Sequence, residues 1–203
     1  YKRTGPICYL GHLEFLQIIF RALKRAEIST NFSKGFNPSP KVSFSPALPV
    51  GTESLCEFFL METPEPLGDT ILQAKKLSDM LPEGMGVSRI ELFPGQLPQD
   101  IITTYSVTAD TSLTQDEINK AAAFLKSNEF IISRERKGKK RSLDIRPMIR
   151  TLGIADSNNI NISVVTSAGK PGVKVLEALG HILEIQPDCL TGWSVRKISW
   201  KNL

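Results

Sequence analysis

Between Phe32 and Gly51, four of the chain's thirteen prolines fall within twenty residues. Proline fixes φ and removes a backbone donor, so this stretch cannot be a single helix or a central strand. It also carries Phe32, Phe36, Val42, Phe44, Leu48 and Val50, too many apolar groups for a solvated linker. Rigidity and apolarity together predict an ordered loop pressed onto a core. Gly35 supplies a bend, and Ser33, Lys34 and Asn37 supply polar groups at the tip. Ordered, shaped loops are where binding groups concentrate, which makes this loop the first candidate site.

Around it the hydrophobic periodicity alternates between periods of 2 and 3.6. Pro6–Leu10 reads as a strand and Gly11–Glu27 as a helix, with Leu13, Leu16, Ile19, Phe20 and Leu23 on one face. Ile28–Phe32, Lys41–Ser45 and Glu53–Met61 read as strands. Leu67–Met80 reads as a helix, and Val87–Phe93 as a closing strand. After the Pro94-Gly95-Gln96-Leu97-Pro98 linker the pattern repeats. Ile101–Ala109 is a strand, and Thr114-Gln115-Asp116-Glu117 is a capping box opening a helix to about Lys126. Phe130–Arg134 and Arg141–Ile145 form a hairpin, Pro147–Leu152 a short helix, and Ile160–Val165 a strand. Pro171 opens a helix and Trp193–Trp200 closes the series. The order predicts an α+β fold of two tandem ferredoxin-like units, antiparallel sheets with helices on one face, over residues 1–94 and 100–203.

Composition narrows the class. At 203 residues, 41% hydrophobic and 23% charged, the chain is an ordinary globular one. No apolar run approaches the roughly 20 residues of a membrane span. No signal peptide is visible, and the opening Tyr1-Lys2-Arg3 lacks an initiator Met, the expectation for a domain of a longer polypeptide. Cys8, Cys56 and Cys189 are odd in number and widely spaced, which points to a reducing cytoplasm. Two histidines and three cysteines without ligand spacing predict no metal and no cofactor.

The net charge is +4, and its densest source is Arg134, Arg136, Lys137, Lys139, Lys140 and Arg141, six cations in eight residues on a hairpin. Such a finger suits a phosphate backbone; it also suits a turn that protects a sheet edge. Arg21, Lys24 and Arg25 share a helix face and extend the basic surface, or pair with Glu14 and Glu27. Lys170 and Gly172 precede a helix, the setting of a generic anion site or of a plain helix start. Asp144 caps a turn or pairs with Arg146. His12, in the first turn of its helix and facing the sheet, is a general-base candidate or a histidine hydrogen-bonded beneath the loop.

Tyr9-Leu10-Gly11-His12-Leu13-Glu14, Arg21-Ala22-Leu23-Lys24-Arg25-Ala26, Phe32 to Pro40, Leu48-Pro49-Val50-Gly51 and Asp144-Ile145-Arg146-Pro147 resemble the radical SAM-linked domain of unknown function, DUF2344. Gly11 and Glu14 replace the usual Ser and Asp of that family's Ser-His-Leu-Asp, and Ser39 replaces the His of its Asn-Pro-His-Pro. The resemblance implies a domain fused to, or encoded beside, a radical S-adenosylmethionine enzyme, while the cluster-binding Cys-x-x-x-Cys-x-x-Cys is absent here. The expectation is therefore a non-catalytic RNA-binding or substrate-presenting module serving that enzyme in RNA modification. Two alternatives stand beside it. One is a metal-independent endoribonuclease with His12 as base and Lys34 or Arg21 steadying the phosphate, by fold analogy with CRISPR repeat-processing nucleases. The other is a docking domain whose Phe-rich loop meets the enzyme.

Overall fold

The computed structural model describes residues 1–136, 138–167 and 169–203. Lys137 and the side chains of Arg136 and Lys139, three of the cations assigned to the basic hairpin, lie outside the described residues. The chain is α+β, with four α-helices and antiparallel strand pairs among the described residues. It divides into two units, Tyr1–Leu97 and Pro98–Leu203.

In the first unit, β1 (Lys2–Arg3) leads through a 3-10 turn, Gly5–Tyr9, into α1 (His12–Arg25). The strand expected over Pro6–Leu10 does not form. Pro6 sits at the start of the turn, where its fixed φ fits and its missing N–H costs nothing. α1 buries Phe15, Ile19, Ala22 and Leu23, a stripe at helical spacing. Leu13, assigned to that stripe from the sequence, is instead 76% exposed. After the C-cap Ala26 comes Glu27, at φ +58°. Ile28 N–H bonds the Leu23 carbonyl at 3.0 Å and Glu27 N–H the Lys24 carbonyl at 3.2 Å, the paired bonds of a Schellman stop.

Ile28–Phe32 is not a strand; only Phe32 forms a bridge, to Pro40. β2 (Val42–Phe44) follows. The strand expected over Glu53–Met61 breaks into β3 (Thr52–Ser54) and β4 (Phe59–Met61), because Glu57 between them turns inward. β4 pairs with β2 as a separate ribbon. α2 (Thr70–Asp79) begins three residues later than the pattern implied, since Asp69 Oδ1 accepts the N–H groups of Ile71 and Leu72 at 3.0 Å each. Its far end is closed by Arg25, which donates to the Met80 carbonyl at 2.9 Å. β5 (Met85–Gly86) pairs antiparallel with β1, and β1 with β3. Gly84, at φ +85°, is required there: a Cβ would collide with the Thr4 carbonyl. Beyond β5 the predicted closing strand does not pair, and residues 87–94 hold no regular structure. The unit's core joins the α1 stripe to Ile28, Leu77 and Met85, with Phe44 and Phe59 packed against it.

The second unit orders its strands β11-β6-β10-β9, antiparallel throughout: β6 (Asp100–Thr108), β9 (Ile149–Ile154), β10 (Asn159–Ser167) and β11 (Ser194–Asn202). The face carrying Val107, Ile160, Ile162 and Val164 is core, packed with Phe124 of α3 (Gln115–Lys126) and Leu179 of α4 (Val175–Leu183). On the other face the hydroxyls of Thr104, Ser163 and Thr151 link three strands at 2.9 and 2.8 Å. The capping box forms as expected, with Thr114 N–H bonding Glu117 Oε2 at 2.7 Å and Glu117 N–H returning to Thr114 Oγ1 at 3.3 Å. β7 (Ile131–Arg136) and β8 (Lys139–Asp144) make a ribbon of their own. The helix expected over Pro147–Leu152 is a 3-10 turn, Arg146–Met148, running into β9. α4 starts at Val175 rather than Pro171.

Glu27 holds a left-handed conformation that costs an L-residue about 1 kcal/mol or more, part of which glycine returns through the entropy of the unfolded chain. Replacing Glu27 with Gly should therefore raise the unfolding free energy by about 0.5 kcal/mol, read from the midpoint of urea denaturation.

Candidate functional site

The proline-rich stretch divides into two parts. Its tip, Ser33 to Ser39, turns back on itself: Ser33 N–H bonds the Ser39 carbonyl at 2.8 Å, and Ser39 N–H bonds Ser33 Oγ at 3.0 Å. Lys34, Gly35 and Asn37 are exposed there, and Phe36 is wholly solvated at 102%. The expectation of a loop pressed onto a core fails for this half. Gly35 has neither a left-handed φ nor a neighbour that a Cβ would meet. The second half does pack. Phe44 lies among the rings of Phe15, Phe20 and Phe59, and His12 stands edge-on to it at 6.5 Å.

Behind Phe44 lies a cavity of about 10 Å³, lined by Tyr1, Arg3, His12, Ser45, Leu48 and Glu57 among others. That is room for about one water. Its walls are unusually polar for a core. Glu57, 6% exposed, accepts the Ser45 hydroxyl at 2.6 Å and the Ser54 hydroxyl at 2.8 Å. Arg3, 4% exposed, donates to the carbonyls of Cys8 at 2.7 Å and Leu10 at 2.9 Å, and its guanidinium lies 5.3 Å from the Phe15 ring centre. Its Nε is buried without a hydrogen-bond partner among the described residues. Burial, and then the charge of Glu57, push the Tyr1 phenol well above its ordinary range. Burial, and then Glu53, push the Cys8 thiol up as well. His12 itself is exposed at the mouth, not buried under the sheet face.

The structure thus brings His12 together with Phe44 to Leu48, and the tip residues Ser33, Lys34, Gly35 and Asn37 take no part in the cavity wall. Sequence reading missed Arg3, Ser45 and Glu57. One signal for Glu57 was available: it is the lone charged residue in the apolar run from Leu55 to Met61. A charge in such a run is kept only when something satisfies it.

The cations of the second unit divide in a similar way. Arg134 is already occupied. Its Nε and Nη2 grip Glu177 at 2.5 and 2.7 Å, and its Nη1 donates to the Gly172 carbonyl at 2.8 Å. Glu177 in turn faces the Lys174 N–H at the start of α4, at 3.5 Å. The helix end assigned as an anion site with Lys170 and Gly172 therefore holds the chain's own carboxylate. Burial works against the Glu177 charge, but the Arg134 hydrogen bonds and charge outweigh it and hold the carboxyl below its ordinary range.

Asp144 Oδ1 accepts the N–H groups of Phe130 at 2.9 Å and Arg146 at 3.0 Å. Arg146 spreads over the carbonyls of Leu125, Ser127 and Ile149 at 3.0 to 3.1 Å. The Asp144-Ile145-Arg146-Pro147 motif is thus a clamp on the end of α3. Lys140 and Arg141 remain exposed, Arg141 directly across the ladder from Arg134. Arg25 is committed to α2, whereas Arg21 and Lys24 are exposed and carry no hydrogen bond or ion pair among the described residues. No group of three or more metal-ligating side chains occurs among the described residues, and no helix there is long and apolar enough to cross a membrane.

The chain is thus α+β, with a buried polar pocket in one unit and a basic ribbon in the other. The chain belongs to the family described as "Uncharacterized protein conserved in bacteria (DUF2344)", whose pattern matches residues 1–174. No curated protein matches the sequence. Three solved chains match in structure. One comes from a "Crystal Structure of a Cbf5-Nop10-Gar1 Complex", at 12% identity and a TM-score of 0.43, covering 92% of this chain and 45% of that one. A likeness at that level carries nothing over to this chain.

The Arg134–Glu177 pair sets a pH dependence. A carboxyl held low in the folded state adds stability above its unfolded pKa, and that stability fades as pH falls through the folded value. Glu177→Gln should cost about 1 kcal/mol at neutral pH. Denaturation curves of the two proteins should converge as the pH is taken into the acid range below the ordinary glutamate pKa.

Proposed function

We propose that this chain is a non-catalytic RNA-binding or substrate-presenting module that works with a radical S-adenosylmethionine enzyme in RNA modification. The observation that carries the RNA half is the distribution of charge. Residues 1–97 hold ten Lys and Arg against ten Asp and Glu, and residues 98–203 hold fifteen against eleven. The whole positive excess belongs to the second unit, and within it to the 134–141 ribbon. A polyanion gains from such a concentration by releasing condensed counterions. Lys140 and Arg141 are exposed on that ribbon. The enzyme half rests on the resemblance of the sequence blocks. The strand order β11-β6-β10-β9, with helices between, supports reading the second unit as ferredoxin-like with the ribbon inserted. In the first unit the order β5-β1-β3 supports the same reading, with β2 and β4 drawn off as a separate pair.

A gel-shift titration with tRNA and rRNA fragments, at low and moderate salt, tests the RNA half. The chain should bind at low salt and weaken steeply as salt rises. Replacing Arg136, Lys137, Lys139, Lys140 and Arg141 with Ala should weaken binding by about tenfold or more and flatten the salt slope. Absence of binding at low salt, or variants that bind unchanged, would sink it.

The exposure of His12 at the cavity mouth favours a second reading, a metal-independent endoribonuclease. His12 would take the proton of a ribose 2′-hydroxyl, which attacks the adjacent phosphate, and the 5′-oxygen would leave as an alcohol by taking a proton from water. Cleavage of single-stranded RNA abolished by His12→Ala, with folding unchanged by circular dichroism, would support this reading. Cleavage surviving that change would remove it.

A further inference from the structure

β5 is the last strand of its run: it pairs with β1 on one side, and no strand pairs with its other edge among the described residues. Beyond it, Val87 bonds the Ser78 hydroxyl through both its N–H and its carbonyl, its only hydrogen bonds among the described residues. Residues 88–97 make no backbone hydrogen bond among the described residues. Yet the sequence Val87-Ser88-Arg89-Ile90-Glu91-Leu92-Phe93 has strand composition. Arg89 and Glu91 contact each other at 3.4 Å, as residues two apart on an extended chain do. A strand-forming segment with an open ladder at a sheet edge is a template for another strand.

We infer that this segment is a homodimer interface, pairing antiparallel with the same segment of a second copy. The charges select both the partner and the register. With Ile90 opposite Ile90 of the other copy, Arg89 faces Glu91 and Glu91 faces Arg89, so two opposite-charge pairs form across the two-fold axis. Registers centred on Arg89 or Glu91 oppose like charges, and a register centred between residues would set side chains of opposite faces across from one another, which a two-fold antiparallel pair does not allow. The same register puts Leu92 opposite Ser88. Leu92 is 92% exposed in the free chain, and Ser88 lines a groove of about 260 Å³ with Ile71, Ala74, Val87 and Ile90. Leu92 of each copy thus enters the groove of the other, covering Ile71, itself 83% exposed.

Sedimentation velocity on the full chain over a wide dilution series tests this. The wild type should show a reversible monomer–dimer equilibrium. Arg89→Glu and Glu91→Arg should each weaken it by at least about tenfold, because each opposes like charges twice. The double variant Arg89→Glu with Glu91→Arg should restore it to within about threefold, since the exchanged charges pair again. A wild type that stays monomeric at every concentration overturns the inference and leaves these charges as edge protection. A dimer indifferent to the single changes, or one that the double change fails to restore, overturns it too.

Discussion

A helix that stops within a folded chain leaves carbonyl groups pointing along its axis, and each must find a donor. This protein meets that requirement with arginine. Arg25 of α1 closes α2 through the Met80 carbonyl, and Arg146 closes α3 through Leu125 and Ser127 while its face lies 5.3 Å from the Phe124 ring centre. At the other polarity, Arg134 holds Glu177 against the start of α4. The planar guanidinium, with five donors in a fixed fork, can serve several carbonyls at once, as a lysine cannot. These contacts fix how α1 meets α2, how α3 meets the turn before β9, and how the basic ribbon meets α4. The cores behind them depend on those placements.

This explains which parts of the site were legible in the sequence. The helices α1 and α3, and the capping box at Thr114, are local features and appear where the pattern put them, whereas α2 and α4 start later than their apolar residues implied. Strands adjoining prolines do not, because a ladder bond depends on a partner far away in sequence: Pro6–Leu10 became a turn, Val87–Phe93 stayed unpaired, and Glu53–Met61 was split by one buried carboxylate. The basic residues show the same limit. A run of cations announces charge, but not whether a carbonyl or carboxylate forty residues away has claimed it. Arg134 and Arg25 were claimed; Lys140, Arg141, Arg21 and Lys24 were not.

The proline-rich stretch that constrains the chain most does two jobs with one composition. Its first half is an exposed loop tied across Ser33 and Ser39, with Phe36 in solvent. Its second half carries Phe44 into a cluster of four other aromatic side chains and places Ser45 on Glu57. A buried carboxylate between two hydroxyls, with an arginine nearby whose Nε has no partner among the described residues, is costly to assemble. That cost is borne only where the backbone of several segments is fixed at once, here the 3-10 turn after β1, the end of β2 and the break between β3 and β4.

The uneven division of charge has a consequence beyond affinity. In the field of a polyanion the pull on such a chain would fall on the ribbon residues, so an encounter would begin there. Salt in the surroundings would shorten the distance over which that pull acts.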